Sequence, residues 1–171
     1  MSDISNFSNT SDYLPIITGV LITDMLVILL LVLGIIKSKS LKEWYDKYNL
    51  SAVLCDVLII VIGIIIARFA YSYIFSEFSL IKFIILAVGI QIVHDLLFAL
   101  LFNSIPYGTN KMIDTFKDYG KEVGFKAVIA DSSMMIVSCV LASYLAKQST
   151  NTNVITLIGS AYLLPYLIYN N

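Results

Sequence analysis

An aspartate stands inside each of four apolar runs. Asp24 lies in Thr23-Asp24-Met25-Leu26, and Asp56 ends Ala52-Val53-Leu54-Cys55-Asp56. Asp95 lies in His94-Asp95-Leu96-Leu97, and Asp131 ends Ala127-Val128-Ile129-Ala130-Asp131. Apolar runs of about 20 residues are what a helix needs to cross a bilayer core. A carboxylate at the centre of such a run costs at least about 2.5–3.5 kcal/mol on insertion scales, so it must turn toward other helices, water or a partner charge. The chain is therefore constrained to a bundle of membrane helices with acids on its inner faces.

Composition agrees. Hydrophobic residues make up 58% and charged residues 13% of the chain, against about half and a quarter for soluble domains. Five spans are predicted, at roughly 15–36, 51–75, 80–105, 124–146 and 152–169. The fifth is the shortest and carries Pro165 near its end, which points to a tilt, a kink or partial insertion. Residues 1–14 read as a flexible polar tail without the positive region of a cleavable signal, and its two sequons begin at Asn6 and Asn9.

The two strings that end in Asp56 and Asp131 imply an internal duplication. From 52 to 71 the chain aligns without gaps to 127–146. Asp24 to Asp56 is 32 residues and Asp95 to Asp131 is 36, a difference of about one helical turn that the connector absorbs. Each unit, 15–75 and 76–147, is span, connector, span. An even number of spans per unit makes the repeat parallel, about an axis along the membrane normal. The fold class expected is an all-α polytopic transmembrane helix bundle: this unit twice, plus a fifth span.

The connectors carry helical stripes. Leu41, Trp44, Tyr45 and Tyr48 recur at helical spacing in the first, and Met112, Phe116, Tyr119 and Val123 in the second. Short amphipathic helices are expected at 40–50 and 110–123, with Trp44, Tyr48, Phe116 and Tyr119 as interfacial anchors at headgroup depth. Lys37, Lys39, Lys42 and Lys47 fill one connector, and Lys111, Lys117, Lys121 and Lys126 the other. Lysine-rich loops stay cytoplasmic, which puts the N-terminus outside or lumenal and the C-terminus in the cytoplasm.

Depth counted along the helices puts Asp24 and Asp95 near the midplane, and Asp56 and Asp131 in the cytoplasmic third. The candidate proton or cation site is Asp24, Gln91, His94 and Asp95. His94 is the only histidine, and its ordinary titration range suits a relay. The competing reading is architectural. Asp56 and Asp131, the repeat-related shallow acids, would complement positive helix N-termini. Asp24 and Asp95 would hydrogen-bond between helices as neutral groups.

Arg68 is expected to reach toward Tyr71, Tyr73 and Glu77 at the outer interface. Cys55 and Cys139 read as small buried packing residues, because no CxxC exists. No HExxH, Walker, Rossmann or TVGYG pattern occurs, so no catalytic residue, metal or cofactor is assigned and no enzyme is expected. A net charge of −1 argues against nucleic acid.

One resemblance adds to this. His94-Asp95-Leu96-Leu97-Phe98, Asn110-Lys111-Met112-Ile113-Asp114, Phe116-Lys117-Asp118-Tyr119 and Lys126-Ala127-Val128-Ile129-Ala130-Asp131-Ser132 are similar to a family of small multi-span proteins of giant nucleocytoplasmic DNA viruses, as is Ala142-Ser143-Tyr144-Leu145. The resemblance covers roughly 93–146 and brings no catalytic residues. It implies a virion inner membrane or host assembly membrane as the location, with capsid or other viral membrane proteins as partners beside the lipid bilayer; the small-residue helix faces leave a homo-oligomer open as well. Two functions stand at this stage: a structural or assembly component of such a membrane, and a small proton- or cation-coupled transporter or channel built on the buried aspartates.

Overall fold

The computed structural model describes residues 1–169. It consists of seven α-helices: α1 (Tyr13–Val32), α2 (Lys39–Tyr48), α3 (Leu50–Ile74), α4 (Leu80–Ser104), α5 (Lys111–Val123), α6 (Phe125–Leu145) and α7 (Thr150–Ile168). A 3-10 turn, Thr10–Asp12, leads into α1, and no strand occurs among the described residues. Four helices are long and apolar enough to cross a membrane: α1 with its leading turn, α3, α4 and α6. That is compatible with a multi-pass integral membrane protein. The helix α7 is not among the four; its first turn, Thr150-Asn151-Thr152-Asn153, is polar, and Pro165 sits in its last turn.

The long helices close into a ring. Helix α1 packs on α3 and α6, and α4 packs on α3 and α6 as well. Helices α2 and α5 pack on each other and on α3, α4 and α6, forming a belt at the end of the ring where α1 stops and α3 starts. Helix α7 lies along α1.

The connectors are helical because local chemistry starts and stops them. The Ser38 side chain caps α2 by accepting from the Leu41 N–H, and the Asn110 side chain caps α5 by accepting from the Met112 and Ile113 N–H groups. Each belt helix then turns into the next long helix through a single residue with positive φ. These are Asn49 (φ 49°, ψ −123°) and Gly124 (φ 54°, ψ −134°). Both N–H groups close a turn on the preceding helix, to Tyr45 and Gly120 carbonyls, each at 2.9 Å. Glycine suits such a conformation, and asparagine tolerates it better than most residues.

The tightest crossing is α1 on α6. A Cβ on Gly19 would sit 2.9 Å from the Ala142 backbone nitrogen, so only hydrogen fits there. Ser138, Ala142 and Ser143 line the facing side and are buried, in keeping with small residues that let helix backbones approach in lipid. Packing is uneven around the ring. Half of the most apolar stretch of α1 is buried, against 11% for α4.

Three sequence expectations are corrected. Residues 2–12 are not a flexible tail. Ile4 is fully buried, the Ser2 N–H donates to the Ser143 carbonyl at 3.0 Å, and the Ser143 hydroxyl donates to the Ser2 carbonyl at 2.6 Å. Arg68 does not reach toward Tyr71, Tyr73 and Glu77. It is completely buried and donates to the Asn6 and Asn9 carbonyls and to Asp12 Oδ2 (3.1 Å), with its guanidinium over the Tyr13 ring. A buried cation needs acceptors, and the folded-over tail supplies them. Finally, Cys139 is buried as expected, whereas Cys55 lies on an exposed helix face.

Candidate functional site

The belt places three polar side chains at one point of the ring. Helix α2 turns the inner half of its aromatic stripe into the bundle: Trp44 is 3% exposed and Tyr45 4%. Trp44 Nε1 donates to Asp56 Oδ2 at 2.9 Å. Tyr45 Oη lies 2.9 Å from Asp24 Oδ1 and 3.0 Å from Asp56 Oδ2. Asp24 and Asp56 are therefore side by side on one hydroxyl, not in separate tiers. Asp24 is fully buried and Asp56 half-buried.

A count of protons constrains this cluster. A phenol has one proton to donate, and an indole only donates. Two ionised carboxylates cannot both receive the Tyr45 proton. The pattern closes when Asp24 Oδ1 carries a proton and donates to Tyr45 Oη, while Tyr45 and Trp44 both donate to an ionised Asp56 Oδ2. The polar contact of Asp24 is then a hydroxyl and needs no cation, as a buried acid in an apolar ring requires. Burial first, and then the charge of Asp56, push the Tyr45 hydroxyl well above the ordinary tyrosine range, so it stays a neutral phenol. Tyr45 also lines an open cleft of about 310 Å³ between α1, α2 and α7, walled by Ile28, Leu31 and Leu167 with Lys42 and Asp46 beside them.

The remaining predicted residues form a second, looser group. On α4, Gln91 Nε2 donates to Asp95 Oδ1 at 2.7 Å, and His94 Nδ1 lies 3.2 Å from the same oxygen. These partners all come from one helix. Their side chains remain partly open for His94 (25%) and Asp95 (13%). Asp131 is half-buried, has no side-chain partner among the described residues, and lies within charge range of Asp95 and Asp56. Gln91, His94 and Asp95 thus come together as predicted, while Asp24 belongs with Tyr45 and Asp56.

The expected aromatic anchors pack on one another. Trp44 packs on Phe116 with ring centroids 4.4 Å apart, and on Tyr48 at 4.9 Å. Tyr48 meets the Thr115 hydroxyl at 3.1 Å. The rings pack the belt against the ring of helices, and the Trp44 indole N–H finds a carboxylate inside. Burial, then the nearby Asp131 charge, pushes the Tyr119 hydroxyl above its ordinary range. Across the belt, Glu122 accepts from the Lys39 N–H at 2.9 Å and the Ser40 N–H at 2.8 Å, at the start of α2. Those hydrogen bonds, Ser40 foremost, hold its carboxyl down at about 2.

Tyr45, Arg68 and Glu122 are the residues that sequence reasoning misplaced or left out. Tyr45 carried a signal: it is a hydroxyl on the buried side of an amphipathic stripe, one turn before an aspartate-bearing helix. Glu122 carried none, since its partners are backbone groups more than eighty residues away. No protein-family model, curated protein or solved structure matches this chain.

Proposed function

We propose that this protein is a small proton-coupled membrane carrier or channel whose proton-binding element is the Asp24–Tyr45–Asp56 cluster. The observation that carries this reading is the shared hydroxyl. Two acids from different spans meet on one phenol inside an apolar ring, and their hydrogen bonds close only when the pair holds at least one proton. Purely architectural acids would need no such shared proton; each could be capped separately.

The frame for this function is a duplicated unit of span, belt helix and span, with α7 as a fifth span that carries the C-terminus to the belt side. Three features support the duplication. Exchanging α1 with α4, α2 with α5 and α3 with α6 maps the ring onto itself and the α2–α3 packing onto α5–α6. Asn49 and Gly124, 75 residues apart like Asp56 and Asp131, share one unusual backbone conformation. Each unit contributes an acid from each of its two spans. Lysine placement supports a cytoplasmic belt and an outside or lumenal N-terminal segment.

The test is proton flux. The protein is reconstituted in liposomes under a pH gradient and compared with Asp24→Asn and with empty liposomes. The expected result is dissipation above the empty control that Asp24→Asn loses. Flux equal to empty liposomes under several cation gradients would sink the transport reading.

A second reading, an assembly component of a viral inner membrane or host assembly membrane, rests on the resemblance of residues 93–146 and on the wide exposed apolar face of α4, which includes Ile81, Ile85, Val93 and Leu100. Its partners would be lipid, capsid or other viral membrane proteins, or further copies of the chain. Consistent absence from purified particles and assembly membranes removes it.

A further inference from the structure

We infer that Tyr45 is a proton relay between the buried Asp24 and the half-buried Asp56, which moves a proton across one hydroxyl without itself ionising. The relay rests on the proton site proposed above and adds a path to it.

The geometry supplies both halves of the step. Tyr45 Oη is within hydrogen-bond distance of one oxygen from each acid, 2.9 Å from Asp24 Oδ1 and 3.0 Å from Asp56 Oδ2. In the resting arrangement Asp24 Oδ1–H donates to Tyr45 Oη, and Tyr45 O–H donates to Asp56 Oδ2. In the step, the Asp24 O–H bond breaks as a new O–H bond forms on Tyr45 Oη. The old Tyr45 O–H bond breaks as one forms on Asp56 Oδ2. Asp24 ends as a carboxylate, Asp56 as a carboxylic acid and Tyr45 as the neutral phenol it was. Atoms and charge balance with no further reactant.

The surroundings give the relay a direction. Asp24 is fully enclosed, and its Oδ2 has no partner. Asp56 is half-buried, so it is the member that can exchange with water. Trp44 Nε1 holds Asp56 Oδ2 at 2.9 Å and so fixes the oxygen that faces Tyr45. The other ionisable groups around the cluster are Asp95 and His94 on α4, Tyr119 and Glu122 on α5, and Asp131 on α6, together with Lys39, Lys42, Glu43, Asp46, Lys47 and Tyr48 on α2 itself. None of these makes a hydrogen bond to Asp24 or to the Tyr45 hydroxyl among the described residues. Tyr45 is therefore the one hydrogen-bonded way out for a proton on Asp24 in this structure.

The counterpart position in the other half shows why the relay is single. Seventy-five residues on, Tyr45 becomes Gly120, which has no hydroxyl. Asp131 accordingly has no bridge of this kind to Asp95.

The test is hydrogen–deuterium exchange of the buried acid, read by infrared spectroscopy on the full-length protein in liposomes. The carboxylic-acid carbonyl band of Asp24 is identified by its loss in Asp24→Asn. On transfer to deuterated buffer, the band of the wild type is expected to shift quickly. Tyr45→Phe keeps the ring and its packing but is expected to slow that shift by roughly 100-fold, the usual worth of a positioned proton-transfer group. Tyr48→Phe removes a hydroxyl of the same belt helix that contacts Thr115 and neither acid, and is expected to keep fast exchange. Exchange in Tyr45→Phe as fast as in wild type overturns the relay, and so does the absence of any carboxylic-acid band that depends on Asp24. Liposome flux separates the relay from the transport reading. Tyr45-dependent exchange without flux supports the relay and sinks transport. Asp24-dependent flux that Tyr45→Phe leaves intact sinks the relay and leaves transport standing.

Discussion

The half built from α1–α3 and the half built from α4–α6 use the same parts to opposite ends. In the first, the two aspartates are drawn together by a belt helix: Trp44 and Tyr45 reach in, and one hydroxyl touches both acids. In the second, Asp95 Oδ1 is held by Gln91 and His94 of its own helix, its Oδ2 has no partner among the described residues, and Asp131 is left beside it unbridged. The backbone at the junction is the same, Asn49 against Gly124. Among the differences is one register position, Tyr45 against Gly120. In the first half one belt side chain joins a pair of acids, and in the second none does.

The halves differ in rigidity too, and substitutions can probe that difference. The largest effect is expected at Arg68, because removing one member of a buried ion pair strands the other. Arg68→Ala should destabilise by about 3–5 kcal/mol, measured by thermal unfolding in detergent, whereas Lys82→Ala at the exposed start of α4 should leave the midpoint unchanged. Glycines sharpen the contrast next. Gly19→Ala must push α1 off the Ala142 backbone, an overpacking cost of about 1–3 kcal/mol. Gly89→Ala on α4 meets nothing within 4 Å and should stabilise by about 0.5–1 kcal/mol through helix propensity. An unchanged midpoint for Gly19→Ala would mean that the α1–α6 crossing is looser than it stands.

The junctions should respond in opposite directions. Gly124→Ala is expected to cost about 1–2 kcal/mol, since a Cβ is strained at that φ. Asn49→Gly should gain up to about 1 kcal/mol by relieving the same strain. The smallest effect belongs to the Glu122 latch. Its carboxyl sits at about 2 against an ordinary 4.5, so its contribution is present above pH 4.5 and is lost as pH falls toward 2. Glu122→Gln should therefore lower stability slightly at neutral pH, and the gap from wild type should close on acidification. A gap that widens in acid would contradict the latch.

Much of this molecule was legible in the chain. Apolar runs, stripe spacing and the repeated acidic strings located every long helix and both belt helices to within a few residues, because each of those signals is local. The site was only half legible. Counting residues along helices separated Asp24 from Asp56 in depth, yet a connector that folds back puts Tyr45 between them, and no count along a helix records that. The polar segment 2–12 read as a tail because its composition is that of a tail. Its order comes from Arg68, a buried cation about sixty residues away that needs carbonyl acceptors. The loose partner of each misreading is long-range: one hydroxyl, one guanidinium and one carboxylate reach across the fold.

The most direct test sets the two halves against each other in one assay. Proton flux is measured in liposomes for wild type, Asp24→Asn and Asp95→Asn at matched protein content. The shared-proton site in the first half requires that Asp24→Asn abolish the flux, while Asp95→Asn, which alters a group hydrogen-bonded only within its own helix, leaves most of it. Equal loss in both, or loss in Asp95→Asn alone, would contradict that account and move the working site to His94 and Asp95.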